Sequence, residues 1–289
     1  MKRLMVYTTV DGTRMRTLNR KEFLVGASSF ALASAFAKNG LLIKIPLMLD
    51  TKRLAIHDGP GIRTTFFVKG CPLHCVWCHN PESIRPEAQW ARFQHLCQHC
   101  VKCTMDEATC PTRALKLYGK PATIDELVKK ALEDKAFYDR TGGGVTISGG
   151  EPLFFWEWTY DFLSACKAAG LHTCVDTSLY APPAAVEKLL PVTDMWLPDF
   201  KTDDDATHQK YTGVSNKVIK RNLERLVAAK AKLEVRCLVV PGRTEDLPAR
   251  YAYLDSIGIP RSSVVELEYF DYARSKYLSL GLPDVMPKE

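Results

Sequence analysis

Short apolar runs alternate, after residue 60, with longer amphipathic segments. The apolar runs are rich in β-branched and aromatic residues and have the length of buried strands. The predicted strands are TTFFV (64–68), GVTIS (144–148), HTCVD (172–176), MWLPDF (195–200), LEVRCLVV (233–240) and VVELEY (264–269). Because amphipathic segments separate these strands, we expect a parallel sheet whose strands are joined by crossover helices.

Three amphipathic segments give the clearest helix predictions: residues 123–138, 155–170 and 216–231. The first opens with Thr123 and Glu126, the spacing of a capping box, ahead of apolar positions at helical intervals. Six strand–helix units in this order, without a dinucleotide-binding fingerprint, favour a partial (β/α)6 barrel of the α/β class over a doubly wound sheet.

The alternation divides the chain into four predicted segments. Residues 1–44 form an N-terminal extension, and residues 45–84 begin the barrel and carry the first cysteine cluster. Residues 85–121 are polar and Cys-rich, without a hydrophobic period, and therefore predict a small inserted module. Residues 122–289 complete the barrel.

The net charge of +6 comes mostly from the first 50 residues, so the barrel itself has no strong basic field. Nucleic acid is therefore not the expected partner. Of the ten cysteines, seven fall into two tight clusters, a spacing that suits metal ligation better than a disulfide framework. Free thiolates of this kind predict a reducing compartment, the cytoplasm being the simplest.

The first cluster is the C-x3-C-x2-C loop of Cys71, Cys75 and Cys78, directly after the first predicted strand. The carboxyl ends of barrel strands are where active sites lie. Three thiolates on a [4Fe-4S] cluster leave one iron with an open position, which is typical of a catalytic site. A zinc site completed by His74 or His79 is the alternative that the spacing leaves open.

The run IHDGPGIRTTFFVKGCPLHCVWCHNPES (56–83) resembles the radical S-adenosylmethionine (SAM) loop of the glycyl radical enzyme activases, the family of pyruvate formate-lyase activating enzyme. The resemblance extends from about Ile45 to Gly281 and implies a radical SAM barrel. It also implies that SAM chelates the open iron and is cleaved by one electron to methionine and a 5′-deoxyadenosyl radical. The implied partners are a glycyl radical enzyme as substrate and flavodoxin or ferredoxin as electron donor.

The same resemblance implies roles for polar residues at the ends of the predicted strands. Gly149, Gly150 and Glu151 would bind the SAM amino group, and a carboxylate at this place can accept hydrogen bonds from an amine. A phosphate-binding loop is the rival, but the segment lacks GK[ST]. The remaining implied site residues are Trp77 beside the adenine, Asp176 and Asp199 at SAM and a monovalent cation, Lys201 beside the cofactor, and Asp58 near the incoming glycine loop.

Two features make these assignments less direct. Taken one at a time, Asp176, Asp199, Lys201 and Arg236 are also typical of ion pairs at a barrel rim. Leu179 departs from the family motif, which has glycine at this position.

The second cluster consists of Cys97, Cys100, Cys103 and Cys110, followed by proline. It resembles a bacterial ferredoxin ligand run, although the last gap is six residues where three is usual. We expect a second [4Fe-4S] cluster in a ferredoxin-like insert, with a four-cysteine zinc site as the alternative. The chain has cysteines for one auxiliary cluster, whereas activases with such an insert generally carry two.

The N-terminal extension complicates the prediction of a cytoplasmic protein. Its basic residues precede the apolar run FLVGASSFALASAFA (23–37), the layout of a signal peptide. The segment NRKEFL (19–24) resembles a twin-arginine export signal with Lys21 in place of the second arginine. The run is too short to span a bilayer comfortably, so no stable membrane span is predicted. Because SAM and a low-potential electron donor are cytoplasmic, export is the alternative and not the expectation.

Three functions are compatible with these features. The first is a SAM-dependent activase of a glycyl radical enzyme. The second is a radical SAM enzyme acting on a small molecule or an RNA, and the third is an electron carrier or zinc protein without catalysis.

Overall fold

The computed structural model describes residues 45–287, together with the backbone of residues 6–10 and 14–18. The chain divides into two compact units, Met1–Ile43 and Lys44–Glu289. In the first unit, β1 (Val6–Val10) pairs with β2 (Arg14–Leu18) in antiparallel orientation. The apolar run predicted as part of an export signal lies outside the described residues. Across the part of the chain that is described, no helix has the length and apolar character needed to cross a membrane.

The second unit is built on a mixed sheet. Its strands are β3 (Leu47–Ala55), β4 (Arg63–Lys69), β5 (Gln89–Arg92), β6 (Leu115–Tyr118), β7 (Gly144–Gly149), β8 (His172–Thr177), β9 (Met195–Pro198), β10 (Val235–Val239) and β11 (Val264–Glu268). The five-stranded sheet has the order β3-β4-β7-β8-β9, in which β4 to β9 run parallel. β10 and β11 form a parallel pair, and isolated bridges Trp196–Leu233 and Asp199–Arg236 connect them to β9. The predicted parallel α/β sheet is thus confirmed.

One strand of this sheet was absent from the sequence prediction. β3 pairs with β4 in antiparallel orientation at the edge of the sheet. Most of its side chains are exposed or half-buried, so its sequence LMLDTKRLA has no continuous apolar run. An edge strand with one solvated face does not produce the apolar signal on which the prediction depended.

The helices are α1 (Ile124–Leu132), α2 (Lys135–Thr141), α3 (Trp156–Ala168), α4 (Pro183–Leu189), α5 (Asp205–Thr212), α6 (Lys217–Ala228), α7 (Leu247–Ser256) and α8 (Arg274–Ser279). The predicted capping box is confirmed at the start of α1: Thr123 Oγ1 accepts from Glu126 N at 3.2 Å, and Glu126 Oε2 accepts from Thr123 N at 2.8 Å.

The helix predicted over 123–138 is interrupted after Leu132. At the break, the Asp134 carboxylate is buried, accepting hydrogen bonds from Arg53 Nη2 at 2.6 Å and Thr64 Oγ1 at 2.8 Å.

The main core lies between the parallel strands and the helices that cross over them. Phe162 of α3 is fully buried at its centre, with its ring 5.5 Å from both Phe66 and Trp158. Burying a side chain of this size stabilises the fold by roughly 2–3 kcal/mol. Because β4, β7, β8 and β9 are parallel neighbours, their carboxyl ends lie along one edge of the sheet.

The Cys-rich segment is framed by a short hairpin. β5 pairs antiparallel with β6, from Gln89–Tyr118 to Arg92–Leu115. The segment is joined to the barrel by paired main-chain hydrogen bonds between Met48 and Lys120, 2.8 and 2.9 Å long. The boundaries predicted for this module, 85 and 121, remain a prediction.

Candidate active site

The loop after β4 carries the first three cysteines and is tightly held by main-chain hydrogen bonds. Gly70 turns the chain with φ of 120°, and a Cβ there would lie 2.6 Å from the ring of Phe155. Beyond this glycine, Cys71 N donates to Ile84 O at 3.0 Å. His74 N and Val76 N donate to Thr212 O and Tyr211 O at 2.8 and 3.0 Å. The end of α5 therefore fixes the path of the cysteine loop, a role that no sequence signal indicated for Tyr211.

Cys71, Cys75 and Cys78 are free thiols on this loop. Burial raises the pKa of all three, that of Cys78 to about 12. Buried thiols of this kind lose their protons only when positive charge compensates them, and iron supplies such charge. The three residues thus suit the ligand set of an iron-sulfur cluster. Within residues 45–287, no three His, Cys, Asp or Glu side chains converge closely enough to bind a single metal ion.

Lys201 lies beside these thiols as a buried cation. Its Nζ is 2.8 Å from Asp199 Oδ2, and its side chain is 12% exposed. Burial lowers the pKa of Lys201, but the negative charges of Asp199 and Cys75 outweigh this effect, so the net direction is upward. Lys201 is therefore protonated at neutral pH and stabilises negative charge on the cysteine loop.

The polar residues predicted at strand ends are brought together at the same edge. Asp176 Oδ2 accepts a hydrogen bond from Ser148 Oγ at 2.6 Å, and Arg236 Nη1 lies 3.5 Å from Asp176 Oδ1. Burial raises the pKa of Asp176 and Arg236 opposes this shift, while Asp199 and Asp58 add to it. Arg236 thus supplies the positive charge among three aspartates.

Asp58 belongs to the same charged group, since its carboxylate adds to the pKa shift of Asp176. Its Oδ2 accepts from Thr65 Oγ1 at 2.7 Å and is 3.8 Å from Lys52 Nζ, with the side chain 18% exposed. Its main-chain oxygen accepts from Thr146 Oγ1 at 2.6 Å, and the adjacent His57 O accepts from Arg236 Nη2 at 2.7 Å. The loop that carries Asp58 is therefore fixed to β7 and β10.

Glu151 occupies a different environment from the one that the sequence suggested. Its side chain is fully buried. Oε1 accepts from Leu153 N at 2.9 Å and Thr177 Oγ1 at 2.6 Å, and Oε2 accepts from the amide and hydroxyl of Ser178, the amide at 2.8 Å. A carboxylate has about four acceptor sites. All are used by the chain itself, so this carboxylate braces the loop after β8 against the loop after β7.

Gly149 and Gly150 have no side chain, so the main chain of residues 68–70 can lie directly against them. A Cβ would lie 2.4 Å from Val68 O at Gly149 and 2.3 Å from Gly70 O at Gly150. The close approach allows Gly150 N to donate to Val68 O at 2.8 Å and Glu151 N to donate to Gly70 O at 2.9 Å. Because only glycine permits this contact, the GGE segment fixes the start of the cysteine loop.

Leu179, the departure from the family motif, retains the backbone conformation of a glycine. Its φ is 58° and its side chain is fully buried. The amide of Asn222 holds the turn by donating to Leu179 O and Ala181 O, both at 2.9 Å. The left-handed conformation costs a leucine roughly 1–2 kcal/mol, which the burial of its side chain offsets.

Comparisons with known proteins show the family to which the chain belongs. The sequence profile of the Radical SAM superfamily matches residues 65–251, more than half of the chain. Over 272 residues the chain is 36% identical to (2S)-3-sulfopropanediol dehydratase activating enzyme of Klebsiella oxytoca, covering 82% of this chain and 86% of that one. This chain belongs to the radical SAM activating enzymes. The family resemblance of the cysteine motif is confirmed.

Two further comparisons give one more relative and one solved structure. Over 274 residues it is 35% identical to benzylsuccinate synthase activating enzyme of Thauera aromatica, covering 83% of each chain. The crystal structure of Streptococcus suis SuiB bound to precursor peptide SuiA matches with 15% identity and a TM-score of 0.49, covering 73% of this chain and 39% of that chain.

The C-terminal segment of the activating enzyme packs directly on the cysteine loop. Trp77, which precedes the third cysteine, is 3% exposed and lies in an apolar cluster with Val240, Tyr269, Ala273, Tyr277 and Met286. Its ring centroid is 6.1 Å from that of Tyr211. Trp77 is therefore held by protein contacts from α5 and from the last segment of the chain.

Two lysines bind the segment after the third cysteine. Lys276 Nζ lies 2.7 Å from Glu82 Oε1, and it donates to His79 O at 2.9 Å and Asn80 Oδ1 at 3.0 Å. From the other side, Lys69 Nζ donates to Glu82 O at 2.5 Å, and burial lowers the pKa of Lys69 to about 8. No local sequence pattern indicated these lysine contacts, because α8 is short and distant along the chain.

The four cysteines of the insert line one cavity of about 270 Å³. Its walls are Arg92, Cys97, Gln98, His99, Cys100, Lys102, Cys103, Thr104, Thr109, Cys110, Pro111, Thr112, Ala114 and Leu115. Burial raises the pKa of Cys110, but hydrogen bonds from the Leu115 main chain and Thr112 outweigh it, so the net direction is downward. The activating enzyme therefore brings its second cysteine cluster together around a space next to the β5–β6 hairpin.

Proposed function

We propose that this enzyme activates a glycyl radical enzyme by holding a [4Fe-4S] cluster on Cys71, Cys75 and Cys78. The bound cluster and SAM supply the chemistry: one electron breaks a carbon–sulfur bond of SAM, leaving methionine and a carbon radical that takes a hydrogen atom from a glycine of the partner. The observation that carries the proposal is the group of three half-buried thiols beside the Lys201 cation, in a chain that belongs to the activating enzymes.

The residues around the thiols would position SAM and balance charge. Lys201, paired with Asp199, stabilises negative charge on the cysteine loop. Gly149 and Gly150 would meet the SAM amino group through their main chain, since Glu151 is committed to Thr177 and Ser178. Trp77 would border the adenine, held in place by the apolar cluster in which it is buried.

Asp176 and Asp199 would serve SAM and a monovalent cation. Arg236 already contributes positive charge to Asp176, at 3.5 Å. A cation here would therefore share the aspartates with Arg236, and SAM cleavage would depend on sodium or potassium. Asp58 would meet the incoming glycine loop, and hydrogen bonds from Arg236 and Thr146 to the main chain of residues 57 and 58 would hold it in place.

We further propose that Cys97, Cys100, Cys103 and Cys110 hold a second [4Fe-4S] cluster in a ferredoxin-like insert. The four thiols surround one cavity, and the pKa of Cys110 is shifted toward the thiolate that iron requires. This cluster would pass electrons from flavodoxin or ferredoxin toward the catalytic cluster. A zinc site at the same residues is the alternative, and metal analysis separates the two.

The partner belongs to one of the glycyl radical enzyme classes, and the cytoplasm is the compartment that holds SAM and the electron donor. The relatives named for a sulfopropanediol dehydratase and for benzylsuccinate synthase match at 36% and 35% identity. The Cys-rich insert favours a dehydratase, lyase or decarboxylase over pyruvate formate-lyase as partner.

Anaerobic reconstitution with iron and sulfide, followed by reduction and addition of SAM, tests the proposal. The wild type is expected to release 5′-deoxyadenosine and to generate a glycyl radical on a co-expressed partner. SAM cleavage without a protein radical would instead favour a small molecule or an RNA as substrate.

A further inference from the structure

Tyr277 of α8 has a buried hydroxyl group whose proton is not used by the protein. The residue is 4% exposed, and its ring packs in the apolar cluster with Trp77, against which Cys75 also packs. Among the described residues, the Tyr277 hydroxyl has no hydrogen-bond partner. Tyr269 in the same cluster donates its hydroxyl proton to Pro287 O at 2.8 Å. Since buried hydroxyls are almost always paired, the Tyr277 hydroxyl requires an acceptor that the free thiols do not provide.

Two cysteines of the catalytic loop, Cys78 and Cys75, lie close enough to Tyr277 to act on its hydroxyl. Burial raises the pKa of Tyr277, and the next largest contributions come from negative charge on Cys78 and then Cys75. The main-chain amide of Cys78 also approaches the phenol oxygen, but it donates to Cys75 O at 3.1 Å. An amide could in any case use only the acceptor side of the phenol. The O–H proton remains available to a sulfur.

The position of Tyr277 is fixed from both sides of α8. Lys276 is bound to Glu82 at 2.7 Å, and Arg274 lies 2.6 Å from Asp271 and 2.7 Å from Asp284. The Lys276 contact ties the helix to the segment that follows Cys78, and the Arg274 contacts hold it to the chain just before and just after α8. Tyr277 itself lies beyond residues 65–251, which the superfamily profile matches.

We propose that the Tyr277 hydroxyl donates a hydrogen bond to a sulfur of the catalytic cluster, at Cys78 or Cys75, and thereby raises its reduction potential. The inference rests on the assignment of the cluster to Cys71, Cys75 and Cys78 in the proposed function. Reduction adds negative charge to the sulfurs, so a hydrogen-bond donor stabilises the reduced cluster more than the oxidised one. Tyr277 thus acts through the cysteine ligands and makes the cluster easier to reduce.

The test is a redox titration of the reconstituted enzyme without SAM or partner, followed by electron paramagnetic resonance. The catalytic cluster is recognised as the one whose signal changes when SAM is added afterwards. In Tyr277→Phe, the ratio of reduced to oxidised cluster at a fixed potential should fall about tenfold, a shift of about 59 mV to more negative potential for a one-electron couple. The matched control, Tyr269→Phe, removes a hydroxyl from the same apolar cluster and should leave the potential unchanged.

Equal potentials for Tyr277→Phe and wild type would overturn the proposal, as would an equal shift in both phenylalanine variants. If Tyr277→Phe fails to bind iron, 3-fluorotyrosine at position 277 keeps the hydroxyl and makes it a stronger donor. It should move the potential upward, and an unchanged or lower potential contradicts the inference. These readouts need no partner protein, so a failure to form a glycyl radical would count against the proposed function and leave this test intact.

Discussion

The ammonium group of Lys276 lies 2.7 Å from the carboxylate of Glu82 and ties the last helix to the segment that follows Cys78. The Glu82 side chain is 4% exposed, whereas that of Lys276 is 32% exposed. The pair therefore places a buried negative charge close to the catalytic loop and neutralises it from the protein's C-terminal segment.

Loss of this pair should destabilise the enzyme. Lys276→Met leaves the Glu82 carboxylate buried without its cation. Breaking a fully buried ion pair in this way lowers the free energy of unfolding by about 3–5 kcal/mol. We expect a loss of about 2–3 kcal/mol here, because Lys276 is partly solvated. Urea unfolding under anaerobic conditions measures the effect. The control is Lys135→Met, which breaks the exposed Lys135–Asp139 pair and should cost less than about 0.5 kcal/mol. Equal losses in both variants would contradict the role given to Lys276.

The close backbone contact at Gly150 predicts a steric effect on cluster binding. A Cβ at this position would lie 2.3 Å from Gly70 O, so Gly150→Ala must displace the start of the cysteine loop. We expect a large loss of iron from the catalytic cluster after reconstitution. Gly170→Ala is the control, because the space around Gly170 is open and its φ of 74° adds only backbone strain. Normal iron binding by Gly150→Ala would contradict this explanation of the GGE segment.

Leu179 offers a test of backbone strain against side-chain packing. Either truncation, Leu179→Ala or Leu179→Gly, removes a fully buried side chain and should lower the free energy of unfolding by about 2–5 kcal/mol. Because φ is 58°, glycine avoids the strain that alanine retains, which offsets its usual entropic disadvantage. The two variants should therefore be about equally stable. A glycine variant less stable than the alanine variant by well over about 1 kcal/mol would indicate that the left-handed conformation is not strained.

The ion pair between Arg53 and Asp134 predicts an acid-dependent contribution to stability. The Arg53 hydrogen bond holds the pKa of Asp134 below its usual range, Thr64 adds to the shift, and desolvation opposes it. A carboxyl group whose pKa is lowered by folding contributes its full stabilisation at pH values above the pKa of the unfolded state, about 3.9 for aspartate. That contribution is lost as the pH falls through the lower pKa of the folded state. The Asp134→Asn variant should thus have a lower free energy of unfolding than the wild type at pH 7. Below about pH 4, its free energy of unfolding should fall less steeply than that of the wild type. Parallel pH–stability curves for variant and wild type would disprove this assignment.

The second cysteine cluster can be tested by metal analysis. Cys110→Ala removes one of the four thiols around the cavity of the insert. If a [4Fe-4S] cluster is bound there, the variant should lose about four irons and a matching amount of sulfide per chain. The catalytic cluster, identified by its response to SAM, should remain. Zinc in the wild type, lost without any change in iron, would establish the alternative site.

The features predictable from sequence were those encoded locally. Val145, Ile147 and their neighbours form a continuous buried run, so β7 could be recognised without knowledge of its partners. Cys71, Cys75 and Cys78 lie within one loop, and their spacing alone indicated an iron-sulfur or metal site. The motif around them pointed to the family that the comparisons confirm.

The features that could not be predicted depend on distant contacts. Glu151 was expected to face a ligand, but its environment is set by Thr177 and Ser178 on another loop. Lys276 and Tyr277 belong to a short helix far along the chain, where nothing in the local pattern indicates packing against Cys75 and Cys78. Burial and charge pairing at such positions arise only when the barrel is assembled.

The proposed removal of a hydrogen atom from a glycine of the partner can be tested by labelling that hydrogen with deuterium. The reconstituted enzyme is reduced and incubated with SAM and a co-purified glycyl radical enzyme that was produced with α-deuterated glycine. If the enzyme activates its partner as proposed, we expect a glycyl radical signal on the partner together with deuterium in the released 5′-deoxyadenosine. Neither product is expected with Cys75→Ala. Unlabelled 5′-deoxyadenosine without a radical on the partner, or no SAM cleavage by the wild type, would contradict the proposed function.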